Sequence, residues 1–270
     1  MTILGIWGDD KTCKTTLALT APKPLAYMEF DLGGFDRAKH RFKEDVDNNN
    51  IMRVYKNETA EHPLIYVVPS QVGDVDVKAL TVRPSKRIVG IKELWYKFLV
   101  HYIMLLNDPQ IISIVIDTST LLWEVCSLGY LQEKQEIQLD PQGNLRSGEK
   151  KLRESLLPIE YKEPNIRMRG LVYQAKVHSK HLILTHHSRD EYGPMLIKGE
   201  VVEAKTGKKE RSGWSPLGDG ADIIVHTSIK DKIPYCNVEL AEVLELVGME
   251  FKEPSFDKIM EAVKMIRGEQ

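Results

Sequence analysis

Ile111 to Ile116 reads IISIVI, a run without a charged residue that ends at Asp117. A strand with one wet face alternates apolar and polar residues, whereas a continuous apolar run needs cover on both faces. Such a strand belongs inside a parallel sheet with helices above and below. Thr2 to Trp7, bounded by Gly8, and His181 to Thr185, ending at His186 and His187, have the same character. Pro24 to Phe30 is a further strand, closed by Gly33 and Gly34. Between these runs the period changes. Ile91 to Leu106 carries apolar residues at positions 91, 94, 95, 98, 99, 102 and 105, the spacing of one helix face. Thr15 to Thr20, Leu121 to Glu133, Arg167 to Ser179 and Pro254 to Ile266 also read as helices, and late strands are expected at 221–229 and 235–240. This alternation predicts an α/β fold with a mainly parallel central sheet flanked by helices.

The 270 residues suit one large α/β domain. The expectation is a single domain over 1–270, with a variable insertion around 51–90 and long polar loops at 134–165 and 188–221. Within the insertion, IMRVY, LIYVV and KALTV are candidate short strands. The net charge of −2 excludes a whole-chain field toward nucleic acid or membrane, so any such surface must be local. Cys13, Cys126 and Cys236 are odd in number and widely spaced, which gives neither a disulfide framework nor a zinc pattern. His178, His181, His186 and His187 lack a cysteine or acid at ligand spacing, so no zinc site is expected there. A reducing, cytoplasmic setting follows, with no signal peptide and no membrane span.

The most specific chemical signal lies between the first strand and the first helix. Gly8-Asp9-Asp10-Lys11-Thr12-Cys13-Lys14-Thr15-Thr16 places Gly8, Lys14 and Thr15 at the spacing of a phosphate-binding loop. Consecutive backbone N–H groups entering a helix form an anion cradle. The Lys14 ammonium reaches the β- and γ-phosphates of a nucleotide, and the Thr15 hydroxyl ligates magnesium. Hence the expected cofactors are ATP and Mg2+. One position departs from the pattern. Cys13 stands where the second glycine belongs, and its Cβ narrows the cradle and restricts φ. Asp9 and Asp10 add negative charge beside a polyanion site.

A phosphate loop needs a second acid for the metal, at the end of an apolar strand. Asp117 fits, next to Thr15 as the other metal residue. The residue after Asp117 is Thr118, not Glu, so the water-orienting carboxylate must come from elsewhere. Glu29 and Asp31 lie two apart on the second strand and share a face. Asp31 stands at the strand end, where ligands collect in parallel sheets. Asp31 is therefore the candidate catalytic acid and Glu29 the reserve.

These segments, GDDKTCKTTLAL, PLAYMEFD with its glycine pair, IVIDTSTLLWE and LILTHHSRDEY, resemble the RecA-like ATPases. Within them they are most similar to nucleotide-binding proteins of phages and plasmids, several of which are linked to single-strand DNA annealing and recombination. The resemblance covers roughly 1–35 and 108–230. It implies a RecA-type core with one more strand between the phosphate-loop strand and the Asp117 strand. It puts the catalytic acid at Asp31, where Glu is commoner, and a γ-phosphate sensor at His186 or His187. It also implies assembly into a ring or filament.

Single-stranded DNA is the expected macromolecular partner. Arg146 to Lys180 carries nine Lys and Arg against four Glu, and Lys198 to Arg211 carries five against three acids. Tyr192 and Trp214 are aromatic candidates for base stacking. Lys208, Lys209 and Arg211 are candidates to reach a neighbouring subunit's phosphate. Two other readings share the loop: a small-molecule kinase with 188–221 as its lid, and a nucleotide-dependent switch or assembly module with little turnover.

Overall fold

The computed structural model describes residues 1–54, 74–76, 81–83, 86–197 and 200–269. The chain begins with β1 (Ile3–Gly8), α1 (Lys14–Ala18), β2 (Leu25–Glu29), α2 (Gly34–Ala38), α3 (Lys43–Asp47) and β3 (Ile51–Arg53). A small antiparallel pair follows, β4 (Asp74–Asp76) and β5 (Thr81–Arg83). Then come α4 (Ile91–Asn107), β6 (Ser113–Asp117), α5 (Ser119–Gln138), α6 (Lys162–Val177), β7 (His181–Ile197) and β8 (Glu200–Arg211). The chain closes with β9 (Ile223–Lys230), β10 (Ile233–Ala241), β11 (Glu250–Lys252) and α7 (Phe256–Arg267).

The main sheet runs β11-β10-β9-β1-β7-β6-β2-β3, with β8 paired to β7 off this path. From β9 through β3 every pairing is parallel, and β10 and β11 extend the sheet antiparallel. β7 therefore lies between the phosphate-loop strand β1 and the Asp117 strand β6, the arrangement that the RecA-like resemblance implies. The continuous apolar runs are central because both faces are covered. Ile114 and Ile116 of β6 pack with α4, α5 and α6 on one face, while Val115 packs with Leu17, Phe35 and Val263 on the other. Alternate residues of one strand thus serve two cores.

The helix expectations hold with shifted ends. The 91–106 pattern is α4, ending at Asn107, and α5 runs past the expected Glu133 to Gln138. The polar stretch 134–165 is therefore not all loop. Its first turn continues α5, and α6 starts at Lys162. Buried Gln132 and Gln135 explain the extension. Their side-chain oxygens accept from the N–H groups of Ile91 and Ile88, so polar residues serve as core residues here.

The larger correction concerns 188–221. Instead of a long loop, β7 continues to Ile197 and pairs antiparallel with β8, from Ser188 opposite Arg211 to Ile197 opposite Glu200. The β-branched and aromatic residues Tyr192, Val201, Val202 and Thr206 favour strand, and ion pairs across the two strands offset the polarity. In the insertion, IMR forms β3, LIYVV lies outside the described residues, and only Thr81 and Val82 of KALTV fall in a described strand, β5. No described helix is long and apolar enough to cross a membrane.

Candidate functional site

β1 delivers Gly8 to the rim of the sheet, and the chain turns through Asp9–Cys13 into α1. A Cβ on Gly8 would lie 2.5 Å from the carbonyl oxygen and the hydroxyl of Thr227, so only glycine fits where the loop crosses β9. Thr12 locks the turn: its hydroxyl donates to Asp9 O at 2.8 Å and lies 2.7 Å from Thr227 Oγ1. Cys13, at the helix entry, adopts φ 68° and ψ 23°. That left-handed conformation accounts for the glycine expected there, and a side chain in it costs about 1–2 kcal/mol. Lys14 Nζ folds back on the loop and donates to Gly8 O at 2.9 Å and Asp9 O at 2.7 Å. Burial lowers the Lys14 pKa, while Asp10, Asp117, Asp9 and Asp31 pull it the other way.

Asp117 is the hub of the site. It is 3% exposed, and residues from three other elements converge on it. Thr15 Oγ1 donates to its Oδ2 at 2.7 Å and Tyr27 OH donates to the same oxygen at 2.5 Å. Thr185 Oγ1 donates to Oδ1. Burial and the adjacent Asp117 charge push the Tyr27 hydroxyl well above the usual phenol range, so it stays a donor. Gly34 leaves this cluster open. A Cβ there would come within 3.0 Å of Asp117 Oδ2 and 3.3 Å of both Thr15 Oγ1 and Tyr27 OH. Tyr27, Thr185 and Gly34 were not singled out by sequence reasoning. The one available signal was parity: Tyr27 shares its strand face with Glu29, and Thr185 ends the HLILT strand.

A cleft of about 590 Å³ opens over this cluster, with Lys11, Lys14, Asp31, Asp117 and His187 among its lining residues and Arg37 and Arg41 on its outer wall. Asp10, Thr12, Cys13, Thr15 and Thr16 also face it. Asp31 Oδ2 stands 3.6 Å from His187 Nε2. Asp9 turns outward and accepts from Ser188 Oγ at 2.5 Å.

Three candidates lie elsewhere. Glu29 is 1% exposed and is paired with Arg53, which also stacks on the Phe35 ring at 4.8 Å. It does not line the cleft, because the β2–β3 pairing encloses it. His186 is fully buried on the opposite face of β7 from His187, its Nδ1 3.1 Å from Ser212 O. Burial holds its pKa at about 3, so it is neutral. Neighbouring strand residues point to opposite faces, and only His187 reaches the cleft. Trp214 is 1% exposed and donates to Asn165 Oδ1, a core residue rather than a stacking platform.

The residues present fit a nucleotide with magnesium. A hydroxyl and a carboxylate supply the hard oxygen donors this metal takes. Lys14, Lys11, Arg37 and Arg41 supply cations for phosphates, and Gly34 keeps the space above Asp117 clear. Among the described residues no group of three or more His, Cys, Asp and Glu forms a further metal site, and the three cysteines are free thiols.

No family model matches the chain, and no curated protein does. Among solved structures the chain is similar to a KaiC-like protein from the hyperthermophilic archaeon Pyrococcus horikoshii OT3, at 11% identity and a TM-score of 0.44, covering 93% of this chain and 84% of that one.

Proposed function

We propose that this chain is a magnesium-dependent ATPase built on a RecA-like core. One observation carries the reading: Thr15 and Asp117, 102 residues apart in sequence, meet at 2.7 Å in the wall of a cleft that Lys14 also lines. In the proposed complex the backbone N–H groups of Lys11–Thr16 and the Lys14 ammonium hold the phosphates. Thr15 and Asp117 hold the magnesium, which when bound offsets phosphate charge. Asp31 orients the attacking water, and His187 beside it contacts the γ-phosphate. Arg37 of α2 and Arg41 of the 3-10 turn that follows it steady the polyphosphate. The decisive measurement is a calorimetric titration of ATP with and without magnesium, on the parent and on Lys14→Ala. Loss of binding in the variant is expected; retained tight, magnesium-dependent binding sinks the assignment.

We further propose coupling to single-stranded DNA and self-association. Lys150, Lys151 and Lys208 are exposed, as is Tyr192. The basic count of 146–180 overstates this surface, however. Arg153, Arg167, Arg169 and Lys176 are in ion pairs, and the Lys180 ammonium donates to Asp108 O and Ile111 O. Lys209 pairs with Asp190, and the Arg211 guanidinium donates to Trp214 O and Ser215 O. ATPase rate with and without single-stranded DNA, at low and physiological salt, tests the coupling. Binding of ATP without turnover would favour the switch reading. The kinase reading is disfavoured, because 188–197 and 200–211 are paired antiparallel strands.

A further inference from the structure

The parallel pairing of β1 with β7 ends at Gly8 opposite His187. One residue further along both strands, Ser188 Oγ donates to Asp9 Oδ1 of the phosphate loop at 2.5 Å. Ser188 also opens the two-stranded arm of β7 and β8, where it pairs with Arg211. One hydroxyl therefore ties the base of the arm to the loop. The backbone of Asp9 is tied as well. Its carbonyl oxygen accepts from the Thr12 hydroxyl at 2.8 Å and from the Lys14 ammonium at 2.7 Å. Asp9 thus meets the loop through its backbone and the arm through its side chain.

The tie matters because of charge. A carboxylate that turns into a phosphate cradle repels the ligand and attracts the cation meant for it. Asp9 is exposed and is not among the residues that line the cleft, whereas its neighbour Asp10 lines it. With its side chain free to rotate, Asp9 would have a second destination, because the Lys14 ammonium already rests on its own carbonyl oxygen. A carboxylate turned toward Lys14 would compete with the phosphates for that cation. The Ser188 hydroxyl removes the choice. On the arm side the Asp9 charge is also better placed. Lys209 of β8 stands there, its ammonium held above its ordinary range by the paired Asp190 carboxylate first and by the Asp9 charge after it.

We infer that Ser188 is a positioning residue for nucleotide binding, which holds the Asp9 carboxylate on the arm side and keeps Lys14 available to the phosphates. This role presupposes the nucleotide binding proposed above. Ser188 is not among the residues that line the cleft, so the chemical step is left to Asp31 and His187.

Titration of the full chain with ATP and magnesium, at low and at high salt and beside steady-state turnover, tests it. Ser188→Ala is expected to weaken ATP binding about fivefold at low salt, the worth of one hydrogen bond, with KM raised and turnover at saturating ATP unchanged. Raising the salt should shrink the loss, because the competing contact is between charges near the surface. Ser188→Thr keeps the hydroxyl on a residue that suits a strand and should bind as the parent does. Asp9→Asn removes the charge and should bind at least as tightly as the parent. In that background Ser188→Ala should cost nothing further, a coupling that a merely structural role would not show. If Ser188→Ala binds ATP as tightly as the parent at low salt, or if its loss persists in the Asp9→Asn background, Ser188 has no such role and the nucleotide reading still stands. If the parent itself binds no nucleotide, both fail together.

Discussion

His187 Nε2 lies 3.6 Å from Asp31 Oδ2, joining β7, at its last residue paired with β1, to the turn just after β2. Asp31 is half-exposed there and lines the cleft, whereas Glu29 is closed off by Arg53. Asp31→Asn is expected to lower ATP turnover about 100-fold or more while sparing ATP affinity. His187→Ala should lower turnover by a smaller factor. Phosphate release, measured beside nucleotide titration, separates the two quantities; normal turnover in Asp31→Asn would move the role to another carboxylate.

Glu29 gives the opposite signature. Its carboxylate is buried against the Arg53 guanidinium, which keeps only a 3.7 Å contact with half-exposed Asp36 when Glu29 is removed, so the loss is expected to approach the roughly 3–5 kcal/mol of a broken buried pair. Glu29→Ala should therefore shift the urea midpoint sharply downward. Below that midpoint the folded fraction should keep its turnover per molecule.

Gly34→Ala tests the space above Asp117. The added Cβ would press on Asp117 Oδ2 at 3.0 Å and on the Thr15 and Tyr27 hydroxyls at 3.3 Å. Magnesium-dependent ATP affinity is expected to fall about tenfold, or ~1.4 kcal/mol. Titrations with and without the metal measure the difference, and equal losses in both would count against a metal role for this cluster.

Cys13→Gly should relax the loop. The left-handed conformation at φ 68° costs a side chain about 1–2 kcal/mol, and the added freedom of glycine in the unfolded chain takes back about 0.5–1. A net stabilisation of about 1 kcal/mol or less is expected, together with tighter nucleotide binding. Thermal melts and titration of the same variant check both.

His186 sets a pH dependence. Its pKa is about 3 in the fold against an ordinary 6.5, because burial disfavours the imidazolium. The unfolded chain then binds more protons between those values, so stability falls as pH drops from about 6.5 toward 3, by up to about 1.4 kcal/mol per unit. His186→Phe should flatten this part of the profile. An unchanged slope in urea unfolding at pH 7, 6 and 5 would refute the assignment.

Much of this protein is legible in one dimension. The runs IISIVI, TILGIW and HLILT determine a parallel sheet, since only central strands can bury both faces. The spacing of Gly8, Lys14 and Thr15 determines a phosphate loop, since backbone geometry at a strand-to-helix turn is local. Asp117 follows from its place after an apolar strand. Tertiary structure decided the rest. Tyr27, Thr185 and Gly34 join Asp117 only through strand order, which brings together residues up to 90 apart. Glu29 and Asp31 share a face, yet the neighbouring β3 supplies Arg53 to one and leaves the other at the cleft. The 188–221 stretch reads as a loop when its charges are taken singly, yet 188–197 and 200–211 are strands. Cross-strand pairing of Arg189 with Glu210, and of Asp190 with Lys205 and Lys209, makes it an arm. Local pattern determines elements and turns; which charges neutralise each other depends on neighbours that only the folded chain brings within reach.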